Sequence, residues 1–304
     1  MHSAWRAAGL HSRAMYQTAQ PAAALRSVVR FYAGADIHAP AQPIRLPVPA
    51  RTFPAIDFTF GDPFRIRLHG DERRETAPAV GVIGAKTCAG ACLEMHGRLE
   101  TFVIVFQPSG LFSLFSIPGA ELTDRYFEGV SVLGRFVDEL RCELGDARSF
   151  DERVVVAERY LLHRWRFREP RGGAGPAAVE LLLRQGGARV ADLAAYAGWS
   201  VRQLERRFIH EIGMPPKLFA RVARFEGVLR HRMRYPGLRW TDIAQELGYH
   251  DQSHMLHDFR EFSAAAPSDA VPGLDLFLDR DFGVSAGRAG AAVSRTDRRP
   301  AASG

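Results

Sequence analysis

Apolar residues change their spacing along this 304-residue chain. Between residues 25 and 118 they come in short runs, FPAIDFTF, FRIRL, VGVIGA and LETFVIVF, separated by Gly, Pro and Asp-containing turns. Runs of that length between turn residues predict strands. From Glu121 the period becomes helical: Phe136, Leu140 and Leu144 predict one helix, and Val154, Val155, Leu161 and Leu162 a second. Ser149 followed by Glu152 has the spacing of a capping box at the start of that second helix. The stretch REPRGGAGP at 168–176 packs Gly and Pro together with no apolar anchor, and predicts a linker. Residues 177–272 keep a helical period throughout. The segment 280–304 is small, polar and basic, a composition expected to stay disordered.

Within this helical region a single pattern is written twice. VADLAAYA precedes GWSVRQLERRF, and WTDIAQEL precedes GYHDQSHMLHDF. Leu193 aligns with Ile243, Ala194 with Ala244 and Gly198 with Gly248; after one extra residue in the second turn, Leu204 aligns with Met255 and Phe208 with Phe259. A small alanine that allows close approach, a glycine to end the first helix and apolar residues four apart on the second describe a helix-turn-helix. Ser200 and Asp251 stand where N-caps belong.

The outward positions carry the candidate chemistry. In the first copy they are Arg202, Gln203, Glu205, Arg206 and Arg207, in the second Gln252, Ser253, His254, Leu256, His257 and Asp258. Arginine pairs bidentately with guanine edges in the major groove, and glutamine with adenine. The stretch PPKLFARVARFEGVLRHRM between the copies has an apolar stripe of Phe219, Val222, Phe225 and Leu229. Its other sides carry Lys217, Arg221, Arg224, Arg230, Arg232 and Arg234, with Glu226 the acid among them; Lys217, Arg221 and Arg224 are the expected phosphate contacts. A helix of that length spans about 27 Å, so the packed modules at its ends would place two readers roughly one DNA turn apart. The net charge of +6 agrees with a polyanionic partner.

These residues carry a resemblance. Leu193-Ala194, Gly198, Ser200, Leu204, Arg206, Phe208, Gly213 and Pro216, then Ile243-Ala244, Leu247-Gly248-Tyr249, Asp251, Ser253, Phe259 and Pro267, resemble the DNA-binding domain of the AraC/XylS family of bacterial transcription regulators. FQPSGLFSLFSIPGAELTDRYFE is similar to the second half of the small-barrel sensor domain that accompanies it. The resemblance implies an α+β chain. A β-barrel-like, degenerate cupin-like domain with following helices at 25–167 would be joined by the linker to an all-α domain with two helix-turn-helix motifs and a linker helix. It implies double-stranded DNA as partner, RNA polymerase as a further partner, a small-molecule effector at the N-terminal domain, homodimerisation with residues 121–165 as the seam, and activation of transcription in the bacterial cytoplasm, at the nucleoid. Carried over by position, base contacts fall on Arg202, Glu205 and Arg206, and on Gln252, Ser253, Leu256 and His257. Ala264, where the family has glycine, and Gly227 inside the rod depart from the pattern. Both weaken the second module, so the first is expected to dominate affinity.

Other constellations change the picture little. Cys88, Cys92 and His96, with His69 as a fourth ligand, would suit a metal or a redox dithiol on a helix, but Gly90 and the neighbouring strands argue for ordinary cysteines. His250, His254 and His257 have helical spacing without a metal being expected, and His38, His69 and His96 lack the close pair of an enzymatic cupin. Three cysteines argue against a disulfide scaffold. No catalytic fingerprint is present, so neither enzyme activity nor a cofactor is expected. A cupin-like enzyme and a helical protein-interaction module without DNA are the alternatives. Phe53, Phe58, Phe60, Phe64, Phe102 and Phe106 suit either a ligand pocket or a plain core, and core packing is the favoured reading. No apolar run reaches membrane-spanning length. Residues 1–24 are expected to be flexible. They lack acids like a transit peptide but have no secretory h-region, and Met15 opens a more natural start, so a loose tail or an over-extended start is preferred.

Overall fold

The computed structural model describes residues 15–39, 43–68, 74–168, 173–183 and 189–263. His69, Ala264, Pro267 and the 280–304 tail lie outside them. The strands are β1 (Met15–Ala19), β2 (Val29–His38), β3 (Ile44–Val48), β4 (Ala55–Thr59), β5 (Arg65–Leu68), β6 (Arg74–Thr76), β7 (Val80–Ile83), β8 (Ala91–Met95), β9 (Arg98–Phe106) and β10 (Tyr126–Glu128). They form two antiparallel sheets, one ordered β1-β2-β9-β4-β7-β10 and the other β3-β8-β5-β6. The sheets face one another without joining into a closed ring among the described residues. Ala35, Ile37 and Leu99 of the first meet Ile44, Leu46 and Met95 of the second.

Burial explains the strand patterns. In β3 the residues alternate buried and exposed, as a strand with one covered face requires. In β4 every residue is buried, because helices cover its other face. Those helices are α1 (Gly110–Phe115), α2 (Gly119–Leu122), α3 (Gly129–Leu133), α4 (Phe136–Asp146) and α5 (Phe150–Arg166). Val137, Leu140 and Leu144 of α4 and Ala157 and Leu161 of α5 pack on Tyr32, Phe58, Phe102 and Phe106. Half of the predicted capping box of α5 forms: the Glu152 N–H donates to Ser149 Oγ at 3.2 Å, while the Glu152 carboxylate accepts from the Arg148 N–H at 2.7 Å and not from Ser149.

Several expectations need correction. Residues 15–24 are not a loose leader, since β1 pairs with β2 from Met15↔Asp36 to Ala19↔Tyr32. The helical period begins earlier than Glu121, at α1, and β10 then adds a short strand to the edge of β7. Val155 is 67% exposed, and the buried stripe of α5 runs through Ala157 and Leu161 instead. The linker has an anchor: Ala174 is fully buried, and its N–H donates to Glu211 Oε2 at 2.6 Å.

The remaining helices are α6 (Gly175–Leu183), α7 (Val190–Tyr196), α8 (Val201–Ile212), α9 (Pro216–Arg234), α10 (Trp240–Glu246) and α11 (Gln252–Ser263). Two cores divide along α9. Leu193, Ala194, Leu204 and Phe208 pack on its first half through Phe219 and Ala223. Ile243, Ala244, Met255 and Phe259 pack on its second half through Phe225 and Leu229. The repeat is close enough that Phe208 meets Phe219 edge-on at 5.3 Å and Phe225 meets Phe259 edge-on at 5.1 Å. At 19 residues α9 is about 28 Å long.

Candidate nucleic-acid interface

Each reader is built from a turn and a cap. Gly198 and Gly248 take φ of +69° and +70°, a left-handed conformation that costs an L side chain about 1 kcal/mol. Each glycine N–H returns to the preceding helix, at Ala195 O and Gln245 O. Ser200 then opens α8 with its hydroxyl accepting from the Gln203 N–H. Asp251 opens α11, its Oδ1 accepting from the His254 N–H at 2.8 Å. That bond and the neighbouring His250 hold the Asp251 carboxyl below the usual carboxylate range.

On α8, Arg202, Gln203, Arg206 and Arg207 are exposed and Glu205 half-buried. They do not share one role. Gln203 completes a capping box, its Oε1 accepting from the Ser200 N–H at 2.9 Å, so its side chain is held at the helix start. Arg207 turns back over the Trp199 ring at 4.7 Å and lies 3.6 Å from Glu211. Arg202 and Arg206 remain the exposed guanidinium groups on the outward face.

On α11, Gln252, Ser253, His254 and His257 are exposed and Leu256 is half-buried. The His254 ring meets Tyr249 edge-on at 5.3 Å, and His257 lies 3.6 Å from Glu261. Asp258 is not outward. It is fully buried, and Arg221 Nη2 reaches its Oδ1 at 2.6 Å.

The rod is therefore less open than its composition implies. Arg221 also contacts Glu261 at 2.6 Å and stacks over Phe262 at 4.9 Å; these carboxylates raise its affinity for its proton. It clamps α9 to α11 and is not presented as a phosphate contact. Arg224 lies over the Tyr249 ring at 5.1 Å, Arg230 is 3.3 Å from Glu226, and Arg232 donates to Leu238 O at 2.8 Å. Lys217, at the start of α9, is exposed.

Three acids that organise this domain are buried: Glu211, which sequence reading missed, and Glu226 and Asp258, which it placed on outward faces. The signal was present. Each sits three or four residues from buried apolar partners on its own helix, the spacing of an inward face. Glu226 reaches into the β-rich domain, where Thr52 N–H and Oγ1 donate to its Oε1 at 2.6 and 2.9 Å. Arg30 lies 3.9 Å from its other oxygen. Nearby, the Ala50 N–H donates to Phe262 O at 2.7 Å. Glu211 is held by the Ala174 N–H, and burial pushes its carboxyl up. Beside it, Thr123 Oγ1 donates to Gly213 O at 2.9 Å.

Cys88, Cys92 and Cys142 are free thiols, and Cys92 lies on a strand. Among the described residues no three His, Cys, Asp or Glu side chains gather as metal ligands, and no helix is long and apolar enough to cross a membrane.

Residues 178–271 match the profile described as a helix-turn-helix domain, and residues 17–128 match a domain of unknown function, DUF6597. A search of curated protein sequences returns no match. Among solved structures, the chain is similar to ToxT from Vibrio cholerae, with 11% identity and a TM-score of 0.47 over 86% of this chain and 98% of that one. ToxT from Vibrio cholerae strain SCE256 bound to an unsaturated fatty acid gives 11% and 0.47, over 84% and 94%. The AraC-like transcriptional activator CuxR gives 12% and 0.26, over 67% and 83%. Two capped readers of the same build, packed on opposite halves of one linker helix and matched across their whole length by the helix-turn-helix profile, lead to one assignment: residues 178–271 are a double helix-turn-helix DNA-binding domain of the AraC type.

Proposed function

We propose that this regulator reads a specific duplex mainly through Arg202 and Arg206 of α8, and that a small molecule held between its two sheets sets how well it does so. The α11 face, with His254 on Tyr249 and His257 beside Glu261, adds shape fit or meets RNA polymerase. The exposed side of α5 around Val155 serves as the seam of a homodimer. The protein acts as an activator in the cytoplasm, with no catalytic step.

One segment carries the effector reading. The chain from Val48 to Ala55 walls a cavity of about 160 Å³ between the sheets through Val48, Arg51, Phe53 and Ala55. The residues interleaved with them grip the DNA-binding domain: Ala50 bonds Phe262 O and Thr52 bonds Glu226. Whatever moves the cavity wall moves the hold on α9 and α11. The six phenylalanines divide accordingly: Phe58, Phe102 and Phe106 fill the helix-covered core with Phe60 against it, while Phe53 and Phe64 face the cavity.

The test begins with a duplex selected from a random library. Ala35→Phe places a ring in the cavity from β2. The expected result is a changed affinity for the selected duplex in a protein that melts normally. Wild-type affinity in a folded Ala35→Phe protein would contradict the coupling. Equal weak binding to every duplex would contradict sequence-specific reading.

A further inference from the structure

The cavity is apolar over most of its wall, from Ile37, Leu46, Phe64 and Leu93, but polar groups line it too, Asp57 and Tyr126 among them. Asp57 is 6% exposed, lies on β4 and faces the other sheet, opposite in sense to its neighbours Ile56 and Phe58, which enter the helix-covered core. Tyr126 lies on β10, its ring edge-on to Phe64 at 6.4 Å. Asp57 Oδ1 and the Tyr126 hydroxyl are both buried without a hydrogen-bond partner among the described residues. Buried polar atoms are nearly always paired, because leaving one unpaired costs about 1–3 kcal/mol. Two such atoms on one cavity wall are a specific deficit of hydrogen bonds.

Charge is not what the cavity lacks. Arg51 interacts with Asp57 and with Glu226. Lys86 lies 3.9 Å from Asp124. The remaining charged wall residue, Arg125, is exposed. Cations and anions near the buried end already offset one another, and a ligand with a full charge would enter against its own desolvation cost. A hydroxyl group suits the two polar atoms better: it donates to Asp57 and accepts from the Tyr126 O–H. Burial also pushes Asp57 up to about 7, so near neutral pH both its forms occur, and a hydroxyl bonds to either. Size completes the description. A cavity of about 150 Å³ lined by aliphatic and aromatic side chains accommodates one benzene ring.

We infer that the cavity binds a small neutral aromatic molecule bearing a hydroxyl group, with its ring among Ile37, Leu46, Phe64 and Leu93 and its oxygen between Asp57 and Tyr126. This deepens the effector reading given above and rests on it for its regulatory meaning, though the binding site stands without it.

Calorimetric titration of the full chain with phenol, benzene, benzoate and benzylammonium tests the inference. Phenol is expected to bind more tightly than benzene by about fivefold to tenfold for each of its two hydrogen bonds, and the two ions more weakly than phenol. Tyr126→Phe removes one of the two bonds and should bring phenol about halfway toward benzene on a logarithmic scale while leaving benzene unchanged. Asp57→Asn, where it folds, should weaken phenol without admitting benzoate. Equal binding of phenol and benzene overturns the assigned head group. Tighter binding of benzoate or benzylammonium overturns its neutrality, and no binding of any probe overturns the site. DNA affinity is measured separately, with and without phenol. Phenol that binds as described and leaves DNA affinity unchanged refutes the effector reading alone.

Discussion

Glu226→Gln tests the joint between the two domains. The carboxylate accepts two bonds from Thr52, at 2.6 and 2.9 Å, and has Arg230 at 3.3 Å and Arg30 at 3.9 Å from its other oxygen. It is fully buried, so water cannot replace these partners. The amide keeps the shape and one acceptor. Hydrogen bonds to an ionised group contribute about 1.5–3 kcal/mol each against about 1 for neutral ones, so Thr52 alone accounts for roughly 1–3 kcal/mol. Two arginines then lose their counter-charge in a dry site, and breaking a buried pair costs about 3–5 kcal/mol. Taking the lower end of each, the expected loss is about 4 kcal/mol, or about 8–16 °C in melting temperature at 2–4 °C per kcal/mol for a chain of this size. Urea denaturation followed by tryptophan fluorescence measures it. Thr52→Val should cost about 1 kcal/mol in the wild type and nearly nothing beside Glu226→Gln, since both act on one contact. A Glu226→Gln protein within 1 kcal/mol of wild type, or two substitutions whose effects simply add, would refute the account of the joint.

Other expectations follow from the interface and the cavity. Arg206→Ala should weaken the selected duplex by about 1–3 kcal/mol in a fixed-salt titration, and His257→Ala by a few tenths; equal losses would contradict unequal halves. Gln203→Ala should lower stability by about 0.5–1 kcal/mol, as loss of a capping-box partner does, and leave base preference unchanged in a selection experiment. Lys217→Ala should reduce the slope of log affinity against log salt by about one, while Arg221→Met should leave that slope intact and lower stability instead. Asp57 holds its proton more tightly folded than unfolded. Its stabilising share is therefore full below about pH 4 and shrinks as pH rises to about 7, so Asp57→Asn should flatten the fall in stability across that window in denaturant titrations.

What could be read from sequence divides along a physical line. The duplicated readers were legible because each depends on local periodicity: Leu204 and Phe208 four apart, a glycine at the turn, Ser200 and Asp251 at the caps. The strand content was legible from short apolar runs, but the cavity was not, because it depends on how far two sheets stand apart. The destinations of long side chains were also hidden. Arg221 counts toward a basic face in sequence, yet it closes on Asp258, 37 residues further along. Gln203 could have been placed, because Ser200 and Gln203 have the same capping spacing as Ser149 and Glu152.

The three buried acids explain why the helical domain holds one arrangement. Apolar stripes such as Phe219, Phe225 and Leu229 favour burial without fixing register, since one hydrophobic contact replaces another at little cost. A buried carboxylate tolerates no such shift, because misplacing it strands a charge. Glu211 fixes α8 against the incoming linker at Ala174, Asp258 fixes α11 against α9 at Arg221, and Glu226 fixes α9 against the β-rich domain at Thr52. The first two set the geometry within the reader. The third ties that geometry to the segment that walls the cavity. Thr52 is therefore where a signal from the sheets would reach the DNA-binding helices, and a loosened Thr52–Glu226 contact would alter both readers together, because both pack on α9.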